Sequence, residues 1–512
     1  MNPSFPPQAQ RLSTGVEGLD RVLRGGLPRG RVYLVEGSPG TGKTTLALQF
    51  LLEGVRQKEP VLYFALSESR LELEAVAASH GWSLEGVHLC EIVATADNGE
   101  PEEPYTLFHP SEVELSETTK TICAEVNRVE PVRAVIDSLA EMRLLAQEPL
   151  IYRRQVLGLK QFFVRRQCTV LLLDDRRPHN SDPHFQSLVH GIISLEQTTP
   201  AYGAKRRQLE VIKVRGVEFH DGRHDFVIRK GGIVVHPRLM AAEHPVPFNR
   251  GPFPSGVAEL DTLLGGGLER GTSALVMGPS GAGKSTLTTQ YLLAAAQRGE
   301  HGISYLFDEG QDNFLARADS LGLDLRHHVE AGRIQLVSVN PAELSPGEFA
   351  QRVRAGVEKE RSRVVVIDSL NGYINAMLEE RGLLVQLHEL LAYLERQGVL
   401  SLLVMAQHGL VDSPVQTPLD VSYLADTVLL LRYFEAAGEV RKAISVVKKR
   451  TGGHETTIRE FRLGPSGIRV GPPLREFQGV LTGTPTYHGE GGPLMRDESG
   501  APGAKDDDDA DA

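Results

Sequence analysis

The sequence predicts an α/β protein of two tandem domains, each a mostly parallel sheet flanked by helices, and three observations carry that expectation. A glycine-rich motif occurs twice, as Gly37-Ser38-Pro39-Gly40-Thr41-Gly42-Lys43-Thr44 and as Gly278-Pro279-Ser280-Gly281-Ala282-Gly283-Lys284-Ser285. Each copy follows a short apolar run, residues 32–35 or 274–277, and precedes a segment in which Leu, Ala and Phe or Tyr recur at helical spacing; this is the order strand, loop, helix. The other apolar runs, among them residues 61–64, 135–136 and 169–173, are continuous rather than alternating, as expected of parallel strands buried on both faces.

The motif itself is an anion cradle. Its glycines let the loop turn with backbone N–H groups pointing inward, and the helix that follows adds a partial positive charge at its N-terminus. Lys43 and Lys284 are expected to reach the β- and γ-phosphates of a nucleoside triphosphate, and Thr44 and Ser285 to place a hydroxyl on Mg2+, with Thr45 and Thr286 beside them. Two full matches in the same context make a chance glycine turn a poor account of either.

Far more than the loop is duplicated. Residues 12–20 (LSTGVEGLD) match 253–261 (FPSGVAELD), and the two P-loop lysines lie 241 residues apart, 284 minus 43, the same offset as between Asp20 and Asp261. Further on, Arg133-Ala134-Val135-Ile136-Asp137-Ser138-Leu139 matches Val364-Val365-Val366-Ile367-Asp368-Ser369-Leu370. Each is an apolar strand ending in an aspartate, so Asp137 and Asp368 are the candidate Mg2+ carboxylates.

Length agrees with this division, because 512 residues exceed one core at about 100–200 residues per domain. The expected organisation is a disordered N-terminus (1–10), a first domain (11–240), a proline-broken linker (241–252), a second domain (253–488) and a disordered tail (489–512) ending in the acidic run 506–509. Residues 96–117, with seven acidic side chains and three prolines, read as a solvated loop. No apolar run nears the roughly 20 residues of a membrane span, and the start of the chain lacks the regions of a signal peptide, so a cytoplasmic protein without membrane association is expected. A net charge of −11 argues against a dedicated nucleic-acid partner. Cys90, Cys123 and Cys168 show no Cys-x-x-Cys pairing, and His179, His184 and His190 no ligand spacing; neither disulfides nor a zinc site are supported.

In order and spacing, residues 10–488 resemble the RecA/DnaB-type ATPases and, within them, the double-domain KaiC family. The resemblance implies two tandem RecA-like domains that use ATP and Mg2+. It implies an acidic pair after the strand that follows the P-loop helix, polarising the attacking water: the second half offers Asp308 and Glu309, the first only Ser67 and Glu68. Adjacent residues on a strand point opposite ways, so Glu68 does not automatically replace the missing acid, and the first domain is expected to hydrolyse ATP more slowly. The family's late Lys-x-Arg, which reaches a neighbouring subunit's triphosphate, matches Lys213 and Arg215, and Lys448 and Arg450. Action in trans implies a homo-oligomer, a hexameric ring. Gln407 resembles the γ-phosphate sensor, with Asp174-Asp175 read as the corresponding strand end in the first half. Autophosphorylating members of the family carry adjacent Ser and Thr where this chain has Ser422 and Tyr423.

The leading expectation is therefore a ring-forming signalling ATPase with possible serine autokinase activity and a signalling protein as partner. Two other classes stay open: a RecA/DnaB-like DNA-dependent motor, and a nucleotide-dependent scaffold for a kinase or response regulator. The acidic balance and the lack of aromatic–basic interleaving count against the motor.

Overall fold

The computed structural model describes residues 10–92, 110–146, 148–175, 186–200, 203–243, 246–376, 382–407, 422–436, 438–480 and 486–487. The chain divides into two compact units between Arg238 and Leu239. The expected disordered ends, apart from Gln10, lie outside the described residues, as does most of the acidic stretch 96–117, whose end is nevertheless helical from Pro110 to Val129.

In the first unit the sheet strands are β1 (Val32–Gly37), β2 (Val61–Ala65), β3 (Val87–Glu91), β4 (Arg133–Asp137), β5 (Thr169–Asp175), β6 (Gly191–Thr198), β7 (Arg206–Val214), β8 (Arg223–Arg229) and β9 (Gly232–His236). They form one nine-stranded sheet in the order β9-β8-β7-β6-β1-β5-β4-β2-β3. Strands β1 to β6 pair in parallel and β7 to β9 continue as an antiparallel meander.

The second unit repeats this with β10 (Ser273–Gly278), β11 (His301–Leu306), β12 (Ile334–Ser338), β13 (Ser362–Asp368), β14 (Leu400–Ala406), β15 (Thr427–Ala436), β16 (Glu439–Lys449), β17 (Ile458–Gly464) and β18 (Gly467–Pro473). Its order is β12-β11-β13-β14-β10-β15-β16-β17-β18, strand for strand the same topology. In each sheet the P-loop strand is central, and the loops leaving the carboxyl ends of its neighbours converge beside it, where open α/β sheets bind ligands.

The continuous apolar runs have a direct cause. Along β1, Tyr33 and Val35 enter one core while Val32 and Leu34 enter the core on the opposite face. In β10, Ala274 and Val276 face one side and Leu275 and Met277 the other. Because side chains alternate across a strand, a sheet covered by helices on both faces needs apolar residues at every position.

The duplicated entry segment is held locally. Asp20 accepts hydrogen bonds from the Ser13 hydroxyl at 2.6 Å, the Thr14 backbone at 2.8 Å and the Thr14 hydroxyl at 2.7 Å, and Asp261 accepts from the Ser255 backbone at 2.9 Å. Part of the proline-rich stretch between the halves is packed: Leu239 and Ala241 are buried in the second unit's core, and the absence of side chains at Gly271 and Gly398 leaves room for the Phe248 ring.

Candidate functional site

Each P-loop leads into a helix whose first residue is the lysine, Lys43–Arg56 in one unit and Lys284–Gln297 in the other. The residue before it has positive φ, 104° at Gly42 and 105° at Gly283. A Cβ there would lie 2.7 Å from Ile228 Cδ1 at Gly42, or 2.8 Å from both Leu463 Cδ1 and Phe461 Cε1 at Gly283. The left-handed φ calls for glycine at each position, and at Gly283 the Phe461 ring adds a steric demand. The loops fold around their own lysines: Lys43 Nζ donates to the Gly37 carbonyl at 2.7 Å and the Ser38 carbonyl at 3.3 Å, and Lys284 Nζ to the Pro279 carbonyl at 2.7 Å.

In the second unit, Asp368 ends β13 beside Ser285 of the P-loop helix. Its Oδ2 is buried without a hydrogen-bond partner. Burial pushes its carboxyl up to about 6, opposed by a hydrogen bond from Ser285 and the charge of Arg317, and assisted by Glu309 and Asp308. Burial also holds the Lys284 ammonium below its ordinary value, with Asp368 pulling it back. A hydroxyl and a carboxylate with an unused oxygen suit Mg2+, which takes few protein ligands and completes its shell with water and phosphate oxygens. Accordingly, among the described residues no group of three or more His, Cys, Asp or Glu could hold a metal alone.

The acidic pair does not lie on a strand. Strand β11 ends at Leu306 and β2 at Ala65, so Asp308-Glu309 and Ser67-Glu68 occupy the turns beyond, and strand alternation does not govern where they point. Asp308 accepts a hydrogen bond from the Ser369 hydroxyl, and Glu309 forms an ion pair with Arg317 on the helix Gln311–Ser320.

The first unit is built differently. Asp137 Oδ2 accepts from the Tyr63 hydroxyl at 2.5 Å and the Thr44 hydroxyl at 3.1 Å, and burial raises its pKa against both hydrogen bonds. Glu68, which was not expected to replace the missing acid automatically, is half-buried with Oε2 unpartnered, and burial and the nearby Asp137 raise its pKa. Lys43 forms an ion pair with Asp175 at 2.7 Å.

Register corrects one expected correspondence. Asp175 pairs with Gly37, and Ala406 with Gly278, so Asp174-Asp175 match Met405-Ala406 and fall one residue short of Gln407. The residue equivalent to Gln407 lies outside the described residues. Both polar atoms of the Gln407 amide are buried without partners, as a group awaiting a ligand would be.

The Lys-x-Arg cations close at the ends of β7 and β16. Lys213 donates to the Gln186 carbonyl and Arg215 to the Ser187 carbonyl. Lys448 donates to the carbonyls of Ser422 at 2.9 Å and Ala425 at 2.8 Å, and Arg450 to that of Tyr423 at 2.7 Å. Gly191 pairs with Tyr33 and Thr427 with Ala274; counting back from these places Gln186 at the position of Ser422 and Ser187 at that of Tyr423. The turn with the candidate phosphoacceptors is therefore clasped by the same cations in both halves.

Five neighbours of the site make contacts that the sequence did not assign: Tyr63, Arg317, Ser369, Asn371, whose side-chain amide bonds the Ala406 backbone, and Asp175, expected only as a strand end. Only Ser369 carried a signal, since Asp-Ser-Leu recurs in both halves, and in both halves the Asp–Ser peptide is cis. Tyr63 and Asn371 meet their partners through the fold, 74 and 35 residues away in sequence, whereas Arg317 lies 8 residues from Glu309.

Two P-loops on two copies of one RecA-like sheet define a tandem-domain P-loop ATPase. A family model for the KaiC ATPase matches residues 12–240 and again 253–475, and the chain belongs to that family. It is 26% identical over 491 residues to circadian clock protein KaiC3 of Synechocystis sp., covering 93% of this chain and 95% of that protein. It is likewise 26% identical over 487 residues to the circadian clock oscillator protein KaiC of Picosynechococcus sp., covering 93% and 92%, and 26% over 494 residues to that of Thermosynechococcus vestitus, covering 94% and 92%. Among the described residues no helix is long and apolar enough to cross a membrane.

Proposed function

We propose that the chain is a ring-forming ATPase, most simply a hexamer, that binds Mg-ATP in both domains and hydrolyses it mainly in the second. The observation that carries the asymmetry is the state of the two lysines: Lys43 is paired with Asp175 at 2.7 Å, whereas Ala406 at the equivalent position leaves Lys284 with a loop carbonyl.

When bound, Mg-ATP supplies the reactive phosphoanhydride and a metal that neutralises its charge. In the second site Lys284 and the loop N–H groups hold the β- and γ-phosphates, and Ser285 and Asp368 hold the metal. Asp308 and Glu309 orient the attacking water, with Ser369 and Arg317 fixing the two carboxylates. Gln407 senses the γ-phosphate. Lys448 and Arg450, and Lys213 and Arg215 in the first domain, act on a neighbouring subunit's nucleotide. In the first site Glu68 is the remaining base.

Separate Lys43→Ala and Lys284→Ala proteins test the reading by steady-state ATP turnover. Most activity should vanish with the Lys284 change; loss with Lys43→Ala alone would overturn it.

Autophosphorylation at Ser422, with a signalling protein downstream, is a second reading, favoured by the position of its turn under Lys448 and Arg450. Intact mass after incubation with Mg-ATP, compared between wild type and Ser422→Ala, tests it, with phosphate on Tyr423 read from the same spectra.

A further inference from the structure

The Lys43–Asp175 pair has no counterpart in the second domain. Asp175 closes β5 directly beside Gly37, the first residue of the P-loop. Its carboxylate lies 2.7 Å from Lys43 Nζ, with the lysine side chain 9% and the aspartate side chain 43% exposed. The lysine is thus enclosed between two loop carbonyls and a carboxylate that remains open to solvent.

That position is where phosphate belongs. A P-loop lysine contacts the β/γ end of a triphosphate, and a carboxylate on its Nζ stands in for those phosphate oxygens. Asp175 also closes the strand beside the one that ends in the metal carboxylate: Ile136 pairs with Leu172, and β5 runs on to Asp175. Asp174 is not available for the same job, because it is held by Arg143.

We propose that Asp175 is a specificity-determining residue of the first nucleotide site: an internal counter-ion of Lys43 that incoming nucleotide displaces, and that disfavours the triphosphate more than the diphosphate. The inference rests on the reading of Lys43 as a phosphate ligand and deepens it. Two effects act together. Breaking the ion pair opposes binding of either nucleotide, since Lys43 exchanges one anion for another. Once displaced, the carboxylate stays tethered to the strand end, where the additional charge of the γ-phosphate is repelled more than an ADP terminus. The second site, with Ala406 at this position, has neither effect.

The neighbouring groups narrow the alternatives. Asp175 as a metal ligand would need its oxygens directed to Thr44 and Asp137, but the recorded partner of its Oδ1 is Lys43. As a catalytic base it would need to release that lysine while the γ-phosphate occupies the same space.

The test uses the full chain with Lys284→Ala, so that binding reports on the first site, and measures equilibrium dialysis of Mg-ATP and Mg-ADP with and without Asp175→Asn. The expected result is about tenfold tighter ATP binding with Asp175→Asn and a smaller gain, about threefold, for ADP. Asp175→Glu, which keeps the charge, should stay within about twofold of the parent. Unchanged or weaker ATP binding in Asp175→Asn, or an equal gain for both nucleotides, overturns the proposal. A Lys43→Ala, Lys284→Ala protein separates the two levels: residual stoichiometric binding there would overturn the reading of Lys43 and the proposal together. Loss of binding there, with no gain from Asp175→Asn, would overturn the proposal alone.

Discussion

The side-chain amide of Asn371 closes two hydrogen bonds on the backbone of Ala406, donating to its carbonyl at 3.1 Å and accepting from its N–H at 2.7 Å. This ties the start of the helix Leu370–Ala376, which follows the Asp368 strand, to the residue immediately before Gln407, so the candidate metal carboxylate and the candidate sensor are held in one frame. The first half has Ala140 at the matching place and lacks the tie.

Replacing Asn371 with Ala should therefore loosen geometry more than fold. The expected effect is a loss of about 1 kcal/mol in stability with about a tenfold drop in turnover and little change in ATP affinity. Separate measurement of kcat and nucleotide Kd checks it; an equal loss in both would show that Asn371 acts on binding rather than on alignment.

Asp368 gives the second site a pH dependence. Its carboxyl titrates near 6 because of burial, and only the carboxylate form holds a metal well. Turnover of a Lys43→Ala protein should rise with pH through a midpoint near that value at limiting Mg2+, and saturating Mg2+ should move the midpoint lower. For stability the sign is opposite. The folded carboxyl keeps its proton above the unfolded value of 3.8, so its contribution is full below that value and is lost as pH rises through about 6. An Asp368→Asn protein should lack both effects; a pH–rate profile and thermal melts across about pH 4 to 8 read them together.

Arg133 is fully buried and donates to Glu59 at 2.6 Å, to the Ser13 carbonyl at 2.6 Å and to the Phe50 carbonyl at 3.0 Å. Arg133→Met leaves those acceptors unpaired, at a cost of roughly 3–5 kcal/mol, and urea unfolding of the full chain should show the first domain melting earlier. Val364 occupies the equivalent strand position in the second unit and is itself buried, so the sheet does not demand the charge; what demands it is the set of acceptors already placed around it.

Lys448→Ala combined with Arg450→Ala should lower turnover by about 10³-fold if the pair stabilises charge on a neighbour's γ-phosphate. Sedimentation velocity with and without Mg-ATP reads assembly in the same protein. Normal turnover with normal assembly would confine both residues to clasping the Ser422 turn.

Much of this was legible because it was written twice. Parallel strands buried on both faces gave continuous apolar runs, and each P-loop appeared in its strand–loop–helix frame. The aspartates that end β4 and β13 stood at the ends of matching apolar runs. What stayed hidden was contact between distant segments. Tyr63 meets Asp137 and Asp175 meets Lys43 only because strand order brings separate segments to one edge, while Arg317 meets Glu309 across one turn and the start of the next helix. The acidic pairs followed from the family resemblance, and the strands before them end two residues earlier; pairing register alone showed that Asp175 corresponds to Ala406 rather than to Gln407.

The clasp of Lys448 and Arg450 on their own turn has an energetic corollary. For either cation to serve a phosphate elsewhere, it must give up backbone carbonyls it already holds, so engagement is an exchange of acceptors and the net free energy is a small difference between comparable terms. Such a contact would suit turnover rather than permanence: it would form and release readily, and each release would return the Ser422 turn to its resting hold.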